Sequence, residues 1–341
     1  MRLGSAVHYS GNVLEAAERV RDWERVGLDV VWVAEAYGYD APTMMGFLAA
    51  RTERVHIGSA ILPLYSRTPA LLAQTAAGLD HISGGRAILG LGASGPQVIE
   101  GWHAVPYDKP LARTREIIDI CRRVWRREPL TNDGVYQIPL PEGMGTGLGK
   151  PLKLINHPTR ADIPIFVAAL GEKNVALAAE VANGWIPTMF IPEKAGEVWG
   201  GALAKGAESR APELGPLEVV AGGALAIGED VTELRERARP NLALYIGGMG
   251  ARDRNFYFNL ACRYGFEAEA SRIQDLYLSG SKAEAAALVP DEMLERTSLI
   301  GPAGYVKERV AAYREAGVTI LNVNPIGTDP TGDLEQLRGW L

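Results

Sequence analysis

The sequence predicts an α/β protein, a TIM-type (β/α)8 barrel with insertions. Three observations carry this expectation. Eight short segments are apolar and β-branched enough for buried parallel strands, helix-spaced segments separate them, and the strand ends carry small residues.

In chain order, the first strand is expected at residues 3–7 and its helix at 13–26, stopped by Gly27. A strand at 30–34 precedes a helix at 41–51, and a third strand at 55–62 precedes a helix at 69–82. Pro69 suits a first helical turn, and Gly84-Gly85 supplies the turn back into the sheet. The fourth strand, 87–91, leads to a helix at 113–127. Strands at 163–168 and 185–188 follow, with helices at 172–181, stopped by Gly184, and at 192–208. A long strand at 217–227 and a helix at 231–244 come next. The last pair is a helix at 305–316, closed by Gly317, and a strand at 318–323. A chain of 341 residues suits a barrel of about 250 residues with insertions. A doubly wound sheet is the competing architecture, and strand order distinguishes the two.

The composition, 47% hydrophobic and 22% charged, suits one domain over residues 1–341. No apolar run approaches the ~20 residues that span a bilayer, and the first residues run directly into a strand, so neither a membrane segment nor a signal sequence is expected. Cys121 and Cys262 lie far apart in helical patterns, which suits a reduced, cytoplasmic protein. A net charge of -6 gives no general attraction to nucleic acid.

Two insertions interrupt the alternation. Residues 129–162, rich in proline and glycine, are expected to form a lid or an interface. Residues 247–302 fall between the seventh and eighth strands, on the face where barrel enzymes build their sites. They are read as a helical hairpin that buries Phe256, Tyr257 and Phe258, with direct substrate contact as the alternative.

The segment GLGASG, residues 90–95, matches G-x-G-x-x-G after a strand. Pro96 follows at once, the next helix is expected only near Arg113, and the acids about 20 residues on, Glu116 and Asp119, lie in that helix instead of ending a strand. The segment is therefore read as a barrel strand end, not a nicotinamide dinucleotide site. No metal-ligand cluster, nucleophile elbow or phosphate-binding Walker loop occurs, so an organic cofactor is expected to carry the chemistry. Candidate site residues are the polar groups at carboxyl ends of strands: His8, Tyr9, Glu35, Tyr37, Ser59, Ser94, Thr188, Asn322 and Asn324. Glu35 ranks first because it directly follows VVWVA, although it could instead bond a neighbouring loop's backbone, and His8 could be a satisfied core histidine. Asp80, His81 and Arg86 belong to the opposite face and to stability.

The combination of VVWVAE, HIGSAILPLYSRTPALLAQTAAGLDHISGGRAILGLGASG and IPIFVAALGEKNVALAAEVANGWIPTMF resembles the bacterial luciferase-like superfamily, in its branch of oxidoreductases that use the deazaflavin coenzyme F420. The resemblance implies a non-proline cis peptide at Ala60–Ile61, behind the deazaflavin ring, with Ser59 beside it. It implies that Glu35 contacts the ring edge, that Ala93 and Ser94 contribute backbone, that Leu170, Gly171, Lys173 and Asn174 hold the cofactor phosphate, and that Thr188 adds a hydroxyl. A helix amino terminus suits that phosphate electrostatically. Ala36, Gly95 and Ile191 stand where the family's sugar-phosphate dehydrogenases carry a histidine, a carboxylate and a lysine, so oxidation of glucose 6-phosphate is not expected.

The implied reaction is hydride transfer from reduced F420 to an activated C=C, C=O or C=N bond of a small molecule, with Tyr9, Tyr37, Tyr65 or His8 as proton donor. Ile61, Leu62, Leu64, Met189 and Phe190 lean toward a hydrophobic substrate. Two alternatives remain open here: an FMN-dependent monooxygenase and a cofactor-binding protein without turnover. The family resemblance further implies a homodimer.

Overall fold

In the computed structural model, which describes residues 1–7, 12–252 and 254–341, the strands close on themselves. The barrel strands are β1 (Arg2–Val7), β2 (Val30–Val33), β3 (His56–Ser59), β4 (Ala87–Gly92), β5 (Ile165–Ala168), β6 (Gly184–Ile186), β7 (Glu218–Ala221) and β8 (Ile320–Pro325). Neighbours pair in parallel around the ring, and β8 returns to β1 through Arg2↔Ile320 and Gly4↔Asn322. That last pairing excludes the doubly wound sheet, whose edges stay open.

Strand alternation divides the side chains. Val30, Trp32, Ile88, Phe166, Val220 and Ile320 point into the barrel and form its inner core. Their neighbours Val31, Ile57, Leu89, Val167 and Leu321 face the surrounding helices. The rings of Trp32 and Phe166, 5.5 Å apart, fill the waist. They fit because Gly58 and Gly184 stand opposite: a Cβ on Gly58 would lie 2.4 Å from Trp32, and one on Gly184 2.3 Å from Phe166. Gly184 is thus a packing residue inside β6, not the expected helix stop. Gly27 and Gly317 do close their helices, at φ 102° and 84°.

Two expected strands are broken. The segment 55–62 divides at a cis Ala60–Ile61 peptide, beyond which Leu62–Pro63 pairs with Leu91 and Gly92 of β4. The segment 217–227 divides at Gly222-Gly223 into β7 and a strand at Ala224–Ile227. That upper strand runs beside Asn324 and Pro325 and also pairs with Leu299–Gly301. The division needs glycine, since a Cβ on Gly222 would lie 2.1 Å from the Asn322 carbonyl oxygen and one on Gly223 1.9 Å from that of Thr297.

The helices at Ala41–Arg51, Pro69–Ile82, Glu172–Val181 and Pro192–Glu208 have the expected bounds. After GLGASG, however, a short helix at Pro96–Gly101 follows at once, and the next begins at Pro110. Six residues hold too few turns to show a helical period.

The first insertion is not a lid. It leaves the carboxyl end of the helix Pro110–Trp125 and returns to the start of β5, so it lies at the amino-terminal end of the barrel. It forms a small antiparallel pair, Asn132–Asp133 with Gln137–Ile138, and Arg160 anchors it to Asp80 and to the Ala87 carbonyl. The second insertion follows the helix Val231–Gly248, which itself follows the strand Ala224–Ile227 beyond β7, and it holds four helices, Phe256–Arg263, Glu267–Leu278, Lys282–Ala287 and Asp291–Thr297, instead of a hairpin. Tyr257 and Phe258 pack against the core, but Phe256 is 44% exposed and is not buried as expected. No described helix is long and apolar enough to cross a membrane.

Candidate active site

The carboxyl-terminal mouth of the barrel is poor in side chains. Above the Trp32–Phe166 waist, the inward positions are Ala6, Ala60, Gly92, Ala168 and Ile186. A Cβ on Gly92 would lie 2.9 Å from Ile61 Cγ1, so glycine lets the bulge at Ala60–Ile61 lie flat against β4. Such a floor suits a flat ring resting on backbone. Beyond β4, Ser94 adopts φ 59°, and beyond β6, Met189 adopts φ 49°, a conformation costly for side-chain-bearing residues and concentrated at functional sites. Tyr107 steadies the first by donating from its hydroxyl to the Ser94 carbonyl at 3.3 Å.

Next to this floor, beyond the neighbouring strand β5, the helix Glu172–Val181 begins at Gly171, which is extended and offers no side-chain cap. A Cβ at Gly171 would meet nothing within 4 Å, so the first amides of this helix face open space. Lys173 is exposed and Asn174 half-buried in its first turn. The turn before it is pinned from behind. Trp185 Nε1 donates to the Ala169 carbonyl at 2.9 Å, and Trp199 Nε1 to that of Leu170 at 3.1 Å. Phe190 stacks on Trp199 at 5.4 Å, and the Tyr264 hydroxyl donates to the Met189 carbonyl at 2.9 Å, so one aromatic cluster holds the loops after β5 and β6 together. Thr188 is half-buried between these loops and β6.

Glu35 leaves β2 toward the mouth, but its carboxylate is committed. Arg67 forks onto it, Nη1 to Oε1 at 2.5 Å and Nη2 to Oε2 at 2.7 Å, and the Ala41 amide donates to Oε2 at 2.8 Å. The side chains are only 5% and 13% exposed. Glu35 therefore accepts from the first amide of the helix Ala41–Arg51 and ties the loop after β3 to the end of β2. Arg67 was not singled out from sequence, although a buried acid requires a partner.

The other expected residues divide. Ala60, Ile61, Ala93 and Ser94 share the β3–β4 side of the mouth, and Leu170, Gly171, Lys173, Asn174 and Thr188 the β5–β6 side. Ser59 is fully buried, with its hydroxyl exchanging hydrogen bonds with the Gly90 carbonyl and amide at 2.8 and 2.9 Å, so only its backbone borders the mouth. Tyr37 stands in solvent. Tyr65 is not free to give a proton: its hydroxyl donates to the Asp108 carbonyl at 2.9 Å, and burial pushes its pKa up. Leu62, Leu64, Met189 and Phe190 are packed in the core, which leaves Ile61 alone of the five expected apolar substrate contacts at the surface of the mouth. His8 and Tyr9 lie outside the described residues. Among the described residues no group of acids, histidines and cysteines is placed to hold a metal ion.

Residues 1–319 match the family model of luciferase-like monooxygenases. The chain is 42% identical, across 99% of both chains, to a Mycobacterium tuberculosis protein inferred to be a coenzyme F420-dependent oxidoreductase. It is 29% identical to the 5,10-methylenetetrahydromethanopterin reductase of Archaeoglobus fulgidus, over 90% of this chain and 88% of that one. In fold it is similar to the F420-dependent tetrahydromethanopterin reductase of Methanopyrus kandleri, with a TM-score of 0.83 at 23% identity, covering 98% of this chain and 96% of that one. An F420-dependent secondary alcohol dehydrogenase bound to an F420–acetone adduct has a TM-score of 0.77 at 17% identity, covering 100% and 98%.

Proposed function

Because the chain belongs to the luciferase-like monooxygenase family, among its coenzyme F420-dependent oxidoreductases, we propose that it binds F420 across the barrel mouth and reduces an activated C=C, C=O or C=N bond of a small organic substrate. The observation that carries this reading is the pairing of a side-chain-poor floor over β3 and β4 with an open helix amino terminus at Gly171. A flat ring and an anionic tail need those two surfaces on one face.

The residues fit the cofactor. Ala60 and Ile61 would support the back of the ring, with the backbone of Ala93 and Ser94 beside it, while the amides after Gly171, with Lys173 and Asn174, would hold the phosphate. When bound, the deazaflavin supplies a hydride from its C5. Glu35, fixed by Arg67, orients the ring edge and is a poor candidate for proton transfer, because both its oxygens are already engaged by Arg67 and the Ala41 amide. The Tyr37 hydroxyl, exposed beside Glu35, is the proton donor among the described residues; His8 is a second candidate by its place after β1.

The test is oxidation of chemically reduced F420 by electron-poor enones and imines under argon and in air. The reading expects equal rates in both, at one substrate reduced per F420 oxidised. Oxygen uptake in step with substrate, supported by reduced FMN and not by reduced F420, would instead make the protein a monooxygenase.

A further inference from the structure

Three large aromatic side chains stand in solvent at the rim of the mouth: Tyr37 is 67%, Tyr39 78% and Trp102 65% exposed. Of the seven tryptophans, five are buried and Trp340 is half-buried, so Trp102 alone gives up the burial that an indole ordinarily obtains. Tyr37 comes from the loop after β2 and Trp102 from the end of the short helix after β4, yet their rings meet, 6.4 Å apart and inclined at 54°. Strand β3 lies between β2 and β4, so the pair crosses over the carboxyl end of β3, next to Ala60–Ile61. Cation–ring contacts occur elsewhere, as with Arg113 over Tyr65 and Tyr136, but none of those found involves Tyr37 or Trp102. Apart from each other, neither ring has an aromatic or cationic partner among the contacts found, and both remain largely exposed.

We propose that Tyr37 and Trp102 form a stacking subsite for a planar, conjugated ring joined to the bond that is reduced, so that flat, ring-bearing acceptors are preferred over small ones lacking the ring. An inclined aromatic pair offers one face and one edge, the two geometries in which aromatic groups attract. The inference rests on the F420-dependent reductase reading and specifies its substrate class.

The test uses two unsaturated lactones that differ by one fused benzene ring, coumarin and 5,6-dihydro-2H-pyran-2-one, titrated calorimetrically into the F420-loaded protein. Wild type should bind coumarin about tenfold more tightly than the monocyclic lactone. Trp102→Ala should abolish that preference, Trp102→Phe should retain most of it, and neither should alter affinity for the monocyclic lactone, affinity for F420 or the melting temperature. Equal affinity of wild type for both lactones, binding of neither, or an equal loss for both in Trp102→Ala would overturn the proposal. Failure of wild type to bind F420 would sink the reductase reading and this inference together; normal F420 binding with lactone affinities indifferent to Trp102 would sink this inference alone.

Discussion

The two ends of the barrel treat polar groups in opposite ways. At the amino-terminal end three strong charges, Arg86, Asp80 and Glu24, are absorbed into hydrogen-bond networks. Arg86 donates to the carbonyls of Ala49, Thr52, Val55 and Ser83 and to the Thr52 hydroxyl, all within 3.0 Å. Asp80, 0% exposed, is clasped by Arg160 and accepts from the Ala87 amide. Burial pushes the pKa of Glu24 up, but amides of Val55, Arg54 and Glu53 and the Arg54 charge outweigh it and hold the carboxyl below its usual range. At the mouth, the helix at Gly171 is uncapped, Ser94 and Met189 hold unfavourable backbone angles, and Tyr37 and Trp102 face water. The saturated end maintains the fold; the unsaturated end leaves binding capacity for a ligand.

Substitutions sharpen that contrast, and the largest effect belongs to the saturated end. Arg86→Ala removes one member of a buried network and should cost about 3–5 kcal/mol in denaturant unfolding, while F420 affinity per folded molecule stays constant. A parallel loss of affinity at full folding would place Arg86 in the site.

Asp333, at the mouth end beyond β8, is the opposite of Glu24. Burial pushes its pKa up to about 6, against an amide bond from Ile227, and its Oδ2 has no partner. A raised carboxyl keeps its proton in the folded state after the unfolded chain has lost it. Its contribution therefore falls as pH rises from about 4 to about 6 and stays low above that. Asp333→Asn should flatten this slope and stabilise the protein at pH 7 by up to about 3 kcal/mol. A melting profile with unchanged slope between those pH values would contradict the assignment.

Glu35→Gln should cost about 1–3 kcal/mol, because Arg67 keeps a buried charge with half a partner, and should also weaken cofactor orientation. A double-mutant cycle with Arg67→Met isolates the pair; additive losses would mean that the two act separately. Smallest in stability is Gly171→Val, where the added side chain enters open space: melting should change little while F420 affinity falls about tenfold.

The sequence made the scaffold legible because its signals are local. The helix at Pro69–Ile82 announces itself by Pro69, its period and Gly84-Gly85, and the structure has it at the bounds expected. The break at Gly222-Gly223 was missed because its cause is non-local: the carbonyls that exclude a Cβ belong to Asn322 and Thr297. The first insertion reads as a lid or an interface because composition reveals a long loop but not which end of the barrel it occupies; its place after a helix and before β5 removes the lid. Around the mouth, small residues at strand ends were visible in the sequence. The Glu35–Arg67 fork and the Trp185–Trp199 pins were not, since each joins segments brought together only by barrel closure.

The most direct test of the F420 assignment is a fluorescence titration of wild type and Gly171→Val with F420 and, separately, with FMN. The account predicts saturable F420 binding by wild type, weakened in Gly171→Val, with FMN bound far more weakly. Preference for FMN, or F420 affinity indifferent to Gly171, would contradict it.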